Sequence, residues 1–354
     1  MGIVYFVILL SIIVVVHEVG HLIAAKIFNV YCPEFSLGMG PKIFGKKIGE
    51  TTYNIRLFLV GGFVAMAGDN ENQLESKVST EEIPKERTIP GIANWKKIII
   101  MLAGVLMNFI LALVLVCGIF FSRGSYIASP AAIVGGIIAN SPASESSLKT
   151  GDIIKKVEFS NGTVVENPET FMEILVYSST NKDPMTYTVE RDGMLLTTVL
   201  TPKLDEETNQ YYVGIELPAG KEIEISFANV IPVSFDYLWG TTGIIISSLL
   251  NLFRGIGLDN MSGPVGIYSV SSQAASQGLS TYIFLIALIS LNVGIFNLLP
   301  LPILDGGRVI MTIYEMIFKK PINKKVENAI MSFSVFLILL LMVFATFQDI
   351  TKLF

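Results

Sequence analysis

Apolar residues dominate four stretches of the chain, residues 3–28, 98–121, 282–304 and 329–347. A helix rises 1.5 Å per residue, so about 20 apolar residues cross a hydrocarbon core of about 30 Å. Each stretch is therefore expected to form a transmembrane helix. A fifth stretch, residues 237–253 (YLWGTTGIIISSLLNLF), is apolar but interrupted by Gly, Thr and Ser, and length alone does not decide it. Elsewhere the pattern changes period. Residues 127–202 alternate apolar and polar positions in DIIKKVEF, MTYTVER and MLLTTVL, broken by the turn sequences NG, NPE, KDP and RDG, which predicts a small α/β domain of soluble type. Residues 31–67 also read as strands, notably TTYNIRLFLVGGFVAM, and residues 69–92 read as a polar loop.

Composition supports the membrane reading. The 354 residues are 51% hydrophobic and only 16% charged, whereas soluble domains carry about a quarter charged residues. The net charge of -5 and the lack of a long basic block exclude nucleic acid as an expected partner. Cys32 and Cys117 fit no metal or disulfide spacing and are read as structural. The first stretch has no Lys or Arg before its apolar run and no A-x-A-like site, so it is expected to be retained rather than cleaved as a signal peptide.

Charge also orients the chain. Lys26, Lys42, Lys46 and Lys47 follow the first stretch, Lys96 and Lys97 precede the second, and Arg308, Lys319, Lys320, Lys324 and Lys325 fill what reads as a short loop before the last. The positive-inside rule puts both connections in the cytoplasm and the termini and residues 122–280 outside. A fifth crossing would carry the Lys-rich loop to the outer side. The segment at 226–260 is accordingly expected to be an amphipathic helix lying in the outer interface, in contact with lipid.

Within VVVHEVGHLIAA, His17 and His21 stand four residues apart, on one face of a helix and one turn from each other, with Glu18 between them. Two imidazoles so placed reach one zinc ion, and the glutamate of H-E-x-x-H serves as the proton acceptor of a metalloprotease. These are the only histidines in the chain. Their alternative role is structural packing between helices, but two imidazoles and a carboxylate buried in hydrocarbon without a partner cost several kcal/mol. By the helical rise, His17 lies about 20 Å below the outer end of its helix, in the inner half of the bilayer. Catalytic zinc takes three protein ligands and keeps a fourth position open. With no third histidine, the remaining ligand is a carboxylate or a cysteine. Asp305 fits best, because the third apolar stretch ends there at the same inner depth.

The sequence resembles the site-2 protease family of intramembrane metalloproteases, most closely its bacterial regulator-of-sigma-E branch in a form with one PDZ domain. HEVGH, EFSLGMGPKIFG, GGFVAMAGD, AGVLMNFILA, ANSPASESSLKTGDIIKKV, SGPVGI and NLLPLPILDGG carry the resemblance across nearly the whole chain. It implies a multi-pass α-helical protein of a bacterial cell membrane. Its parts are four transmembrane helices (1–28, 98–121, 281–305, 329–348), a membrane-associated β element within a cytoplasmic loop (29–97) and an extracytoplasmic PDZ domain (127–204). It also implies Zn2+ on His17, His21 and Asp305, Glu18 as catalytic base, and Asn297 and Asn292 holding substrate backbone. Packing between helices is the alternative role of both asparagines. Pro300 and Pro302 break the helix and free backbone groups where a peptide enters. The resemblance implies that substrate is added as a strand beside the β element, where Gly61 and Gly62 would permit a bend or a close approach; a hairpin with a packing role is the alternative. The displaced NG in EFSNGTVVENPET and the missing GLGF-like loop depart from the PDZ pattern, which leaves a size filter as that domain's implied role.

The expected activity is hydrolysis of single-pass transmembrane substrates already shortened outside. An anti-sigma factor is the first choice and a remnant signal peptide the second. Two rivals belong to other classes. An inactive PDZ-bearing scaffold has no use for Glu18, and an ion transporter leaves the external domain and the NLLPLPILDG break unexplained.

Overall fold

The computed structural model describes residues 2–69, 83–168, 170–178, 181–205, 210–253, 261–320 and 322–351. Most of the polar loop expected at 69–92, residue Glu169 of the NPE turn, and residues 254–260 of the segment at 226–260 lie outside the described residues. The chain forms two compact units.

The first unit holds most of the apolar helices. α1 spans Gly2–Ile27 and is rich in Ile and Val, residues of modest helix propensity in water. In hydrocarbon a backbone must satisfy its own hydrogen bonds, and that requirement selects the helix. Asn29, at φ 60°, ends it in a left-handed cap in which the Val30 N–H reaches the Ala25 carbonyl at 2.9 Å. β1 (Glu34–Ile48) and β2 (Thr51–Ala65) follow as a long antiparallel hairpin around Gly49 and Glu50. The hairpin curls, so that Glu34–Leu37 meets Thr52–Ile55 on one side and Gly62–Ala65 on the other. Arg56 secures the curl, donating to Glu34, to the Ser36 hydroxyl and to the Gly40 carbonyl. Burial by itself would raise the Glu34 pKa; hydrogen bonds from Arg56, Asn54 and Ser36 outweigh it and hold the carboxyl below its ordinary range.

α2 spans Asn94–Arg123. The second unit then builds its own core on short strands: β3 (Ser125–Ile127), β4 (Gly136–Ile137), β5 (Ile153–Phe159) and β6 (Val164–Glu166). α3 (Met172–Ser178) precedes β7 (Met185–Arg191), β8 (Met194–Leu200), β9 (Lys203–Asp205), β10 (Gln210–Tyr212), β11 (Ile215–Glu216) and β12 (Glu222–Glu224). The main sheet has the order β6-β5-β7-β8, and β4 pairs with β11, β3 with β12 and β9 with β10. The RDG signal is a two-residue turn, with Asp192 and Gly193 both at positive φ, the geometry that matches strand twist. Asn161 and Gly162 turn β5 into β6. Val134, Ile154, Val157, Ile174, Tyr187, Val189 and Leu200 fill the core. Asp152, in the KTGD sequence, is buried under a two-pronged ion pair with Arg191, both contacts at 2.7 Å. Arg191 and the Lys149 backbone N–H keep its carboxyl below the ordinary range against the opposing effect of burial.

α4 covers Val230–Phe253, α5 Pro264–Gln277, α6 Leu279–Asn297, α7 Asp305–Phe318 and α8 Lys324–Thr351. Among the described residues five helices, α1, α2, α4, α6 and α8, are long and apolar enough to cross a membrane, α4 being the least apolar. Together with the β-sheets they make this a multi-pass helical membrane protein.

Two helices differ from the sequence reading. The third apolar stretch does not stay helical to residue 305: α6 stops at Asn297, Pro300 and Pro302 occupy a turn, and Asp305 opens α7. The Lys-rich segment read as a short loop is therefore mostly helix. The apolar helical period of VIMTIYEMIF outweighs the Gly pair near its start. α5 arises at SGPVGI, where Gly263 precedes a proline suited to a first helical position. The buried Asp349 of α8 accepts from the Gly263 and Gly266 N–H groups at 2.9 and 2.7 Å, and added Cβ atoms at either glycine would collide with α8.

Candidate active site

Three helices, α1, α2 and α7, meet around His17 and His21. α1 presents both imidazoles from consecutive turns, ring centroids 4.7 Å apart. α7 brings Asp305 from the far end of the sequence, and its tight entry explains the two glycines that follow. A Cβ at Gly306 would stand 2.3 Å from the Leu298 carbonyl oxygen, and one at Gly307 would stand 2.2 Å from that of Leu301. The LDGG sequence thus lets the 298–304 turn fold down onto the first turn of α7.

The ligand-type atoms converge. His17 Nε2 lies 3.2 Å and His21 Nε2 3.5 Å from Asp305 Oδ2, and the two Nε2 atoms are 3.1 Å apart. Asp305 Oδ2 is buried and makes no well-aligned hydrogen bond to either ring. Ligand atoms about 2.0–2.1 Å from a tetrahedral zinc stand about 3.4 Å from one another. Two imidazole nitrogens and a carboxylate oxygen also match zinc's ligand preference, so these residues fit the metal. Among the described residues this is the one group of His, Cys, Asp and Glu side chains so clustered. Cys32, the cysteine alternative nearest to the motif, is buried and its thiol is pushed up to about 12, chiefly by that burial.

α2 supplies the back wall from Ile100, Gly104 and Asn108, which are four residues apart and so share one face. The Ile100 carbonyl is 2.8 Å from His21 Nδ1. That contact requires a proton on Nδ1 and leaves the Nε2 lone pair directed at Asp305. Gly104 makes room for both rings: a Cβ there would lie 2.4 Å from His21 Nε2 and 2.8 Å from His17 Cε1. AGVLMNFILA carries no residue role in the sequence, because the missing Cβ of Gly104, like the backbone carbonyl of Ile100 just before it, has no chemical signature; the amide of Asn108 within an apolar run is the signal that marks this wall.

A cleft of about 820 Å³ opens on this centre, lined by His17, Glu18, His21, Gly61, Gly62, Asn297 and Asp305 among others. Gly62 lets β2 lie against α1, since a Cβ would sit 3.1 Å from Val14 Cγ1 and 3.5 Å from Glu18 Cγ. Gly61 adopts φ 88°, a bend natural only to glycine. Glu18 meets the Val64 backbone, which places β2 beside the expected base. Asp69 and Arg308 pair at 3.3 Å at the cleft wall and tie the chain just after β2 to α7. Asn292, half-buried on α6, and the exposed Pro300 do not line the cleft, unlike the other expected substrate-binding positions.

A chain that folds a helical H-E-x-x-H against a distant L-D-G aspartate in apolar surroundings is built as a membrane metallopeptidase. A match to Peptidase family M50 runs over residues 5–341, and the chain belongs to this family, the site-2 proteases. It is a membrane peptidase that uses zinc as cofactor. A Clostridium perfringens (strain 13 / Type A) protein with a provisional zinc metalloprotease name is 33% identical over 359 residues, covering 99% of this chain and 98% of its own. The zinc metalloprotease RasP of Shouchella clausii (strain KSM-K16) is 32% identical over 421 residues, with the same coverage. The regulator of sigma-W protease RasP of Bacillus subtilis (strain 168) is 29% identical over 432 residues, again covering 99% and 98%.

Proposed function

We propose that His17, His21 and Asp305 hold the zinc and that Glu18 is the catalytic base of an enzyme that cuts single-pass transmembrane substrates within the membrane. The convergence of the three ligand atoms, all within 4.8 Å of one another, carries this reading. Zinc supplies Lewis acidity, polarising a carbonyl and lowering the pKa of water to about 7. Glu18, in the same cleft, takes the proton of the attacking water and returns it to the leaving amine nitrogen. Asn297, at the end of α6 and in the cleft lining, positions the substrate amide. Among the described residues the strand pairing of Gly62–Ala65 runs along Glu34–Leu37, and we infer that an extended peptide docks along this part of β2, beside Glu18. A helical substrate hides its carbonyls, so extension there would precede attack.

In this reading α1, α2, α6 and α8 cross the bilayer, α4 lies in the outer interface, and the hairpin dips into the cytoplasmic face. The second unit is a PDZ domain on the outer side, with the termini, where it screens substrates by size. The name of the Bacillus subtilis relative supports an anti-sigma factor as substrate, with a remnant signal peptide as the other candidate. Co-expression with truncated single-pass substrates tests the assignment. Glu18→Gln should abolish cleavage while keeping zinc, and Asp305→Ala should lose zinc. Unchanged cleavage by Glu18→Gln would overturn the mechanism. A cysteine placed among residues 319–325 should resist an impermeant external thiol reagent; labelling there would overturn the orientation.

A further inference from the structure

Asn108 is fully buried on α2, and its side-chain nitrogen lies 3.2 Å from His17 Nδ1. Its Oδ1 is buried with no hydrogen-bond partner. Ser290 of α6, also fully buried, donates to the Asn108 backbone carbonyl at 2.9 Å and fixes this turn of α2 against its neighbour. The carboxamide therefore has one face to offer, and that face is the ring nitrogen of His17 turned away from Asp305.

The two histidines are not supported alike. The Ile100 carbonyl, an acceptor only, meets His21 Nδ1, so His21 has one permitted tautomer. His17 meets a group that can act either way. With the NH2 end toward Nδ1, His17 must carry its proton on Nε2, which then points to Asp305 Oδ2 at 3.2 Å. A ligating His17 needs the Nε2 lone pair free and the proton on Nδ1, and an Nδ1 proton requires an acceptor. The one side-chain acceptor at hand is Oδ1 of Asn108, brought into place by a half-turn of the amide, which exchanges its two ends in nearly the same volume.

We propose that Asn108 is the positioning residue of His17: its amide presents Oδ1 to Nδ1–H and so leaves the Nε2 lone pair free for the metal. The inference rests on His17 being a ligand. It assigns Asn108 no contact with substrate or metal. Partners that orient a ligating histidine typically change metal affinity by about 10- to 100-fold when removed.

The test is zinc affinity of the purified full-length chain in detergent, measured by competition with a chromophoric chelator. Asn108→Leu, which keeps volume but has no acceptor, should weaken zinc by about 10- to 100-fold. Asn108→Asp, an acceptor in either orientation, should bind zinc within a few-fold of wild type or tighter. A residue needed only for packing would give the reverse order, because a buried carboxylate is harder to place there than a leucine. Zinc binding by Asn108→Leu equal to wild type overturns the proposal. If Asn108→Leu does not fold, Asn108→Asp decides alone, and a loss beyond tenfold overturns the proposal. His17→Ala keeps the two readings apart. If it loses zinc while Asn108→Leu does not, only the Asn108 role fails; if it too keeps zinc at wild-type affinity, the ligand assignment itself fails.

Discussion

Gly104→Ala adds one methyl group at the point where α2 faces the imidazoles. The Cβ would stand 2.4 Å from His21 Nε2, 2.7 Å from its Cε1 and 2.8 Å from His17 Cε1. Ordinary contact begins at about 3.5 Å, so the His21 ring or the helix must retreat by about 1 Å. The ring is not free to do so, since its Nδ1 is tied to Ile100 and its Nε2 faces Asp305 at 3.5 Å. A misplacement of about 1 Å in a catalytic group costs on the order of 100-fold in rate, or about 2.7 kcal/mol of barrier. The helix itself should gain, because alanine exceeds glycine in propensity by about 1 kcal/mol. Forced overpacking costs about 1–3 kcal/mol and offsets that gain, so the expected variant is folded, weak in zinc and about 100-fold slower on a co-expressed or reconstituted substrate. Zinc affinity and turnover are compared with thermal stability on the same preparation. Wild-type zinc affinity and turnover in a folded Gly104→Ala protein would refute the geometry of the α2 wall.

Two further substitutions probe parts away from the metal. Asp152→Asn breaks the buried pair with Arg191 and should destabilise the second unit by about 2–3 kcal/mol, read as amide exchange in β5, β7 and β8 accelerated by about 30- to 150-fold; unchanged exchange would refute it. Because the Asp152 pKa is depressed on folding, its stabilisation is complete above its unfolded value of about 3.9 and fades as pH falls through the lower folded value. Asn at this position should flatten that acid limb. In a Cys117→Ser background, Cys32, with its thiol near 12, should alkylate at pH 8 more than about a thousandfold slower than a thiol of pKa about 8.5. Rapid labelling of the folded chain would show that Cys32 is not enclosed.

The motif helix was legible because two histidines and a glutamate in an apolar run have few other uses, and Asp305 followed from the need for a third ligand. The alternating strands and the RDG and NG turns were legible because their periods and φ requirements are local. What escaped had a weak local signal or none. α7 opens with Asp305 and two glycines and ends at lysines, which masks the apolar helical period of VIMTIYEMIF, and only its packing against the 298–304 turn reveals why the glycines are there. α5 is built from Ser, Ala and Gly and depends on Asp349, which lies more than 80 residues away. The α2 wall acts through a carbonyl and a missing Cβ, which the apolar pattern does not distinguish from their neighbours, and through Asn108, whose amide interrupts that pattern and is the one part of the wall with a local signal.

The division of the proposed metal set between α1 and α7 bears on synthesis. His17, Glu18 and His21 leave the ribosome first, whereas Asp305 follows only after the hairpin, α2 and the whole second unit have been made. On the proposed ligand set, a nascent chain holds two of the three ligands for most of its elongation, and the site is complete only when the last part of the membrane unit arrives.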